Sequence, residues 1–108
     1  MDADEVAFTV TVDEAPGGVR ITPRGELDMA TQGELRAVLE RHAAGCVTLD
    51  LGELRFLDTS GLRLILETAD AARREGREFA VLPGSAAVQR LFDVAGVTAL
   101  VPFRDRGR

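Results

Sequence analysis

The stretch Phe56–Glu67, FLDTSGLRLILE, sets an Asp, two hydroxyls and a Gly between apolar residues. Upstream of it, CVTLDL (residues 46–51) is a short apolar run, typical of a strand covered on both faces. Downstream, Leu62, Ile65, Leu66 and Ala69 recur at helical spacing, and Gly76 is placed to end that helix. GELRFLDTSG therefore reads as the connection from a buried strand into an amphipathic helix. Thr59 and Ser60 at its tip have three possible roles: helix caps, catalytic nucleophiles, or acceptors of a regulatory phosphate.

Toward the N-terminus, TQGELRAVLERHAAG (31–45) reads as another helix. Thr31 and Glu34 form a T-x-x-E capping box, Leu35, Val38, Leu39 and Ala43 make the buried stripe, and Gly45 is a stop. Before it, VAFTVTV (6–12) alternates on a period of two, APGG is turn chemistry, and GVRITPRGEL resumes the alternation. These two segments predict a hairpin, with Pro23 making the second strand irregular or edge-like. Toward the C-terminus, EFAVLP is a buried strand, and GSAAVQRLFDVAGV a helix capped by Ser85, with Val88, Leu91, Phe92 and Ala95 inward and Gly96 past its end. TALVPF reads as a last strand and RDRGR (104–108) as a frayed tail.

The predicted order is β-β-α-β-α-β-α-β, an α/β chain. Strand–helix–strand crossovers imply parallel neighbours, so an opening hairpin followed by βαβ units gives a mixed sheet. About three helices pack mainly on one face of it, leaving the other partly open. With 108 residues, this is one domain over 1–108, its core running from about 6 to 103. No internal repeat, low-complexity block or linker interrupts it.

Composition narrows the function. The formal net charge is −5, against a nucleic-acid surface, and every cation is Arg. A single Cys, Cys46, precludes an internal disulfide and points to a reducing cytoplasm; its simplest role is as a buried residue at a strand start. The start MDADEV lacks the basic region of a signal peptide, and no apolar run approaches bilayer length, so no membrane insertion is expected.

Catalysis and cofactor binding fit poorly. LDTSGL lacks the leading Gly of a G-x-S-x-G elbow, and the only imidazole, His42, falls on the first helix. Activating Ser60 would need an oriented base. One Cys and one His build no closed transition-metal site, and without Lys there is no P-loop. Glu26 and Asp28 suit a turn leading into a helix better than acid–base work. No cofactor, metal or catalytic residue is expected. For Asp58, Thr59 and Ser60, a cap needs only one of the three; spacing alone leaves the capping role and a docking or modification role both open. A phosphate here would add nearly two negative charges and three acceptor oxygens beside a helix N-terminus. The fold should tolerate that, whereas a partner packed over the turn should not.

Three motifs in order resemble the bacterial anti-sigma factor antagonists of the STAS domain family. GELDMAT (25–31) is similar to the family's G-E-L-D stretch, FLDTSGLRLIL (56–66) to its phosphorylation loop, and AVQRLFDVAGV (87–97) to its third-helix signature. The resemblance spans Val6 to Phe103. It implies a single STAS domain with no enzymatic activity, regulated by partner switching. The unmodified antagonist would bind an anti-sigma factor that is also a GHKL-type serine/threonine kinase, freeing the sigma factor. Phosphorylation would end binding, and a PP2C-type phosphatase would reset it. On the same resemblance Thr59 is the phosphoacceptor and Ser60 the fallback. Asp58, Thr59, Ser60, Gly61 and Arg63 belong to the docking surface, joined by Asp28 and Thr31 and by Glu67 on the edge of the second helix. Thr59 stands where the best-known members carry Ser; Thr adds a methyl and a stiffer side-chain torsion. The alternative the family allows is an accessory STAS subunit of a transporter ATPase or of a stress-sensing assembly.

Overall fold

A computed structural model of the chain describes residues 7–106, so the expected strand start at Val6 and the last two residues of the tail lie outside the described residues. The strands are β1 (Thr9–Ala15), β2 (Gly18–Leu27), β3 (Cys46–Asp50), β4 (Leu54–Leu57) and β5 (Phe79–Leu82); the helices are α1 (Gln32–Arg41), α2 (Thr59–Glu75) and α3 (Ala86–Ala95). β1 and β2 form the antiparallel hairpin, and every other strand pairing is parallel. The sheet runs β1-β2-β3-β5, with β4 also on β2. The mixed sheet, its opening hairpin and the three helices agree with the sequence reading.

Strand alternation decides the two faces. Val19, Val47 and Phe79 are in register, as are Ile21, Leu49 and Val81. These residues share one core with Leu35 and Leu39 of α1, Leu62 and Ile65 of α2, and Val88 and Phe92 of α3. All three helices therefore bury their apolar stripes against the same face. The α2 and α3 termini follow expectation. The Ser85 side chain accepts from the Val88 N–H, and Gly76 and Gly96 close their helices in the left-handed conformation.

Three local expectations fail and a fourth, on Pro23, holds in part. The segment read as a loop after β3 contains β4. β3 pairs with β2 up to Ile21 and β4 from Gly25, with a register shift between Gly25 and Glu26. Pro23 is buried in that gap, where β2 needs no N–H on the β3/β4 side, so β2 is irregular there but central rather than an edge. α1 ends at Arg41 with His42 as its C-cap, so Gly45 is not the stop. No last strand forms: a 3₁₀ turn occupies Thr98–Leu100, and only Phe103 bridges to Val81.

Residues 104–106 of the expected frayed tail are also tied down. The Arg104 N–H donates to the Val81 carbonyl at 2.9 Å. Arg106 donates to the Asp50 carboxylate at 2.6 Å and to the Pro83 carbonyl at 2.7 Å. Gly52 makes room for this clamp, because a Cβ there would lie 2.1 Å from the Arg106 guanidinium. Burial pushes the Asp50 carboxyl up, but hydrogen bonds from Arg106 and the Gly52 N–H, with the charges of Arg106 and Arg20, outweigh it and hold the group below the ordinary carboxylate value. A lowered folded-state pKa stabilises above the unfolded value of about 3.9 and is lost as pH falls through the folded value. Asp50→Asn is thus expected to cost about 1.5–3 kcal/mol at neutral pH. In urea titrations its deficit should shrink as the pH drops below about 3.9.

Candidate functional site

β2 and β4 run parallel with Leu27 opposite Leu57, so the residues that follow, Asp28 and Asp58, emerge side by side at the same end of the sheet. The Asp58 N–H donates to the Leu27 carbonyl at 3.1 Å, tying the two strand ends together. Each Asp then turns its chain into a helix.

Asp58 is the N-cap of α2. Its extended backbone lets the carboxylate accept from the N–H groups of Ser60 at 2.8 Å and Gly61 at 3.1 Å. One carboxylate oxygen satisfies both amides. With Asp58 holding them, those two amides are not free to receive a phosphate. Thr59, the first residue of α2, is exposed, while Ser60 is half-buried. Cap and exposed hydroxyl are thus different residues.

Gly61 is buried for a packing reason. A Cβ at this position would come within 2.6 Å of the Leu57 side chain and 2.7 Å of Leu27 Cγ. Both leucines belong to the core, so neither can swing into solvent. Gly61→Ala is expected to cost about 1–3 kcal/mol through overpacking, read as a lower urea midpoint with an unchanged slope.

Asp28 builds a different turn. Its carboxylate accepts from the N–H groups of Ala30 at 3.0 Å and Thr31 at 3.2 Å. The Thr31 hydroxyl donates to the Glu26 carbonyl at 2.7 Å and accepts from the Asp28 N–H at 3.0 Å. Thr31 therefore fastens the β2–α1 turn to itself, and it makes no side-chain cap for α1, so the expected capping box with Glu34 does not form. Asp28 spends its carboxylate on backbone amides, which is turn-building rather than acid–base chemistry.

Arg63, one turn into α2, is exposed and has no carboxylate within 4.0 Å among the described residues. Glu67 is not free in the same way: Arg36 of α1 holds it at 3.0 Å. Two exposed apolar residues frame the paired Asp turns and escaped the sequence reading: Met29, 77% exposed, and Phe56, 49% exposed. Met29 was legible as a large apolar residue inside a polar turn. Phe56 was not, because it reads as part of the buried run before Asp58.

The geometry does not assemble a nucleophile with its base. His42 caps the far end of α1, whose N-terminal end follows the Asp28 turn. At 1.5 Å rise per residue it lies roughly 15 Å along the axis from that end. Among the described residues, no group of three His, Cys, Asp or Glu side chains is placed to hold a metal ion. No helix among them is long and apolar enough to cross a membrane.

Comparison with known proteins bears on the family and the fold. A family model described as "Mlab, STAS domain" matches residues 10–102. An anti-sigma F factor antagonist of Paenibacillus polymyxa is 33% identical over 85 residues, spanning 75% of this chain and 73% of that protein. An anti-sigma-B factor antagonist of Staphylococcus epidermidis is 31% identical over 80 residues, 71% of this chain and 74% of that protein. Among solved structures, an anti-sigma factor antagonist from Mycobacterium paratuberculosis superposes with a TM-score of 0.80 at 24% identity, covering 90% of this chain and 85% of the other. The antagonist SpoIIAA in its unphosphorylated form gives 0.72 at 23% identity over 94% and 90% of the two chains. At those identities the structural likeness speaks for the fold.

Proposed function

The chain belongs to the STAS domain family, among the anti-sigma factor antagonists, which are non-enzymatic regulators, and from that premise we propose that it is a partner switch controlled by phosphorylation of Thr59. In this reading the unmodified chain binds an anti-sigma factor in the cytoplasm and so frees a sigma factor. The anti-sigma factor is itself a GHKL-type kinase that modifies Thr59, and a PP2C-type phosphatase removes the phosphate. Asp58, Thr59, Ser60 and Arg63 form the docking surface, and Gly61, expected there as well, is buried and seats the loop on Leu27 and Leu57. Asp28 and Thr31 hold the adjoining turn in place.

One observation carries the reading: the helix cap and the exposed hydroxyl are separate residues. Asp58 satisfies the α2 amides, so the Thr59 hydroxyl is not needed for the fold and is open to modification. A phosphate on it would stand beside the Asp58 carboxylate at the tip of the sheet. There its charge and bulk are borne by the partner rather than by the core. Ser60 is more enclosed, which supports Thr59 over it as acceptor.

The chain supplies a convenient test. Trypsin cuts after Arg55 and Arg63, releasing Phe56–Arg63, whose only hydroxyls are those of Thr59 and Ser60. Mass spectrometry of protein isolated from its host should find phosphate on this peptide, with fragmentation placing it on Thr59. Phosphate on Ser60 alone would move the acceptor by one residue. A peptide that stays unmodified, in a chain whose partner also binds Thr59→Glu, would replace the switch with a constitutive subunit of a transporter ATPase or stress-sensing assembly.

A further inference from the structure

A second surface runs along β4, just before the Asp58 turn. Between β4 and α3 lies a groove of about 340 Å³ lined by Phe56, Leu57, Leu91 and Val94, with Arg55 and Arg90 among its walls. Phe56 is 49% exposed and Val94 74%, so apolar area that would ordinarily be covered faces water. The volume is near the lower end for small-molecule sites, and no titratable group other than the two arginines lines it. That suits a few apolar side chains of a protein segment better than a cofactor.

Charge indicates what those side chains come with. The chain as a whole is acidic, and among the described residues seven arginines hold a carboxylate within 4.0 Å. Arg55 and Arg90 hold none among the described residues, and no Asp or Glu lines the groove between them. Two unpaired cations beside an apolar trough are complementary to a segment with apolar residues on one face and carboxylates flanking them. A second copy docked groove to groove would set these arginines against their own counterparts, because a two-fold interface places the same patch on both sides. A nucleic acid is disfavoured by the net charge of −5.

We propose that the β4–α3 groove docks an acidic amphipathic helix of a partner protein, with Phe56, Leu91 and Val94 receiving its apolar face and Arg55 and Arg90 its carboxylates. The surface is independent of the Thr59 switch, since it needs neither the hydroxyl nor its modification. It would let the chain remain attached to one partner while exchanging another.

Two short fluorescein-labelled helical peptides test this by fluorescence polarisation. They share a leucine stripe and differ only in whether Glu or Lys flanks it. The Glu peptide should bind more tightly than the Lys peptide by about tenfold or more, and the preference should fade as salt rises. The double variant Arg55→Glu/Arg90→Glu should invert the preference, and Val94→Asp should weaken both peptides. All three substituted side chains are exposed, and circular dichroism of each variant checks that the fold is retained. Equal binding of the two peptides, or failure of the double variant to invert the order, would overturn the electrostatic assignment. So would absence of binding by either peptide. Self-association seen by ultracentrifugation and abolished by Val94→Asp would give the groove to a second copy instead.

Discussion

Thr59→Glu is expected to leave the fold intact and to weaken binding of the anti-sigma factor by on the order of 2–5 kcal/mol, the range for an uncompensated charge at a buried interface. The fold should survive because Thr59 is exposed at the first position of α2, where a carboxylate is favoured by the helix dipole, and because Asp58 keeps the cap. Binding should fail because the new carboxylate cannot share the Ser60 and Gly61 amides, already held by Asp58. It must be desolvated beside a second negative charge. Calorimetry with the partner captured by wild-type protein measures the loss, and circular dichroism checks the fold. Thr59→Ala is the control: it should bind like wild type and become insensitive to ATP. If Thr59→Glu unfolds the chain, Thr59 is structural and the switch assignment falls. If it binds unchanged, the loop lies outside the interface.

What was legible in the sequence was whatever repeats locally. The α2 and α3 stripes with their terminal glycines, and the hairpin with its turn, are written in neighbouring residues. The structure keeps them, except that Ala95, expected inward on α3, is exposed. β4 was hidden because Leu54 and Leu57 are buried while Arg55 and Phe56 are exposed, a spacing of three that matches no strand template. The Thr31–Glu34 box was outcompeted from three residues upstream. Asp28 takes the Thr31 N–H, and the Thr31 hydroxyl is spent on the Asp28 N–H and the Glu26 carbonyl, so the side chain faces back into the turn instead of forward into α1. The Asp50–Arg106 clamp joins residues far apart in the chain, and no local pattern announces it. The candidate site was half legible. DTSG showed its residue types, and resemblance assigned their roles. That Asp58 caps, Thr59 projects and Gly61 packs could be read only once Leu27 and Leu57 were seen beneath them.

That buried support leads to the second large effect. Leu27→Ala should destabilise the domain by about 2–5 kcal/mol, because the side chain is fully buried and its removal leaves a cavity under the loop. For a domain of ordinary stability this is a large fraction of the whole. The substitution also bears on the site, since the Leu27 carbonyl holds the Asp58 N–H and its Cγ fills the space where a Gly61 side chain would go. Gly61→Ala overfills a space that Leu27→Ala empties. The double variant should therefore be more stable than the sum of the two losses predicts, with a coupling of about 0.5–3 kcal/mol for residues in contact. Urea titrations of the four proteins measure that coupling. Compensation would establish that the Gly of DTSG is there so that the loop can lie directly on Leu27, holding the Asp58 cap and Thr59 against the core. Strict additivity would mean that Leu57, the other neighbour of the absent Cβ, alone sets the cost, and that the loop's position does not depend on β2.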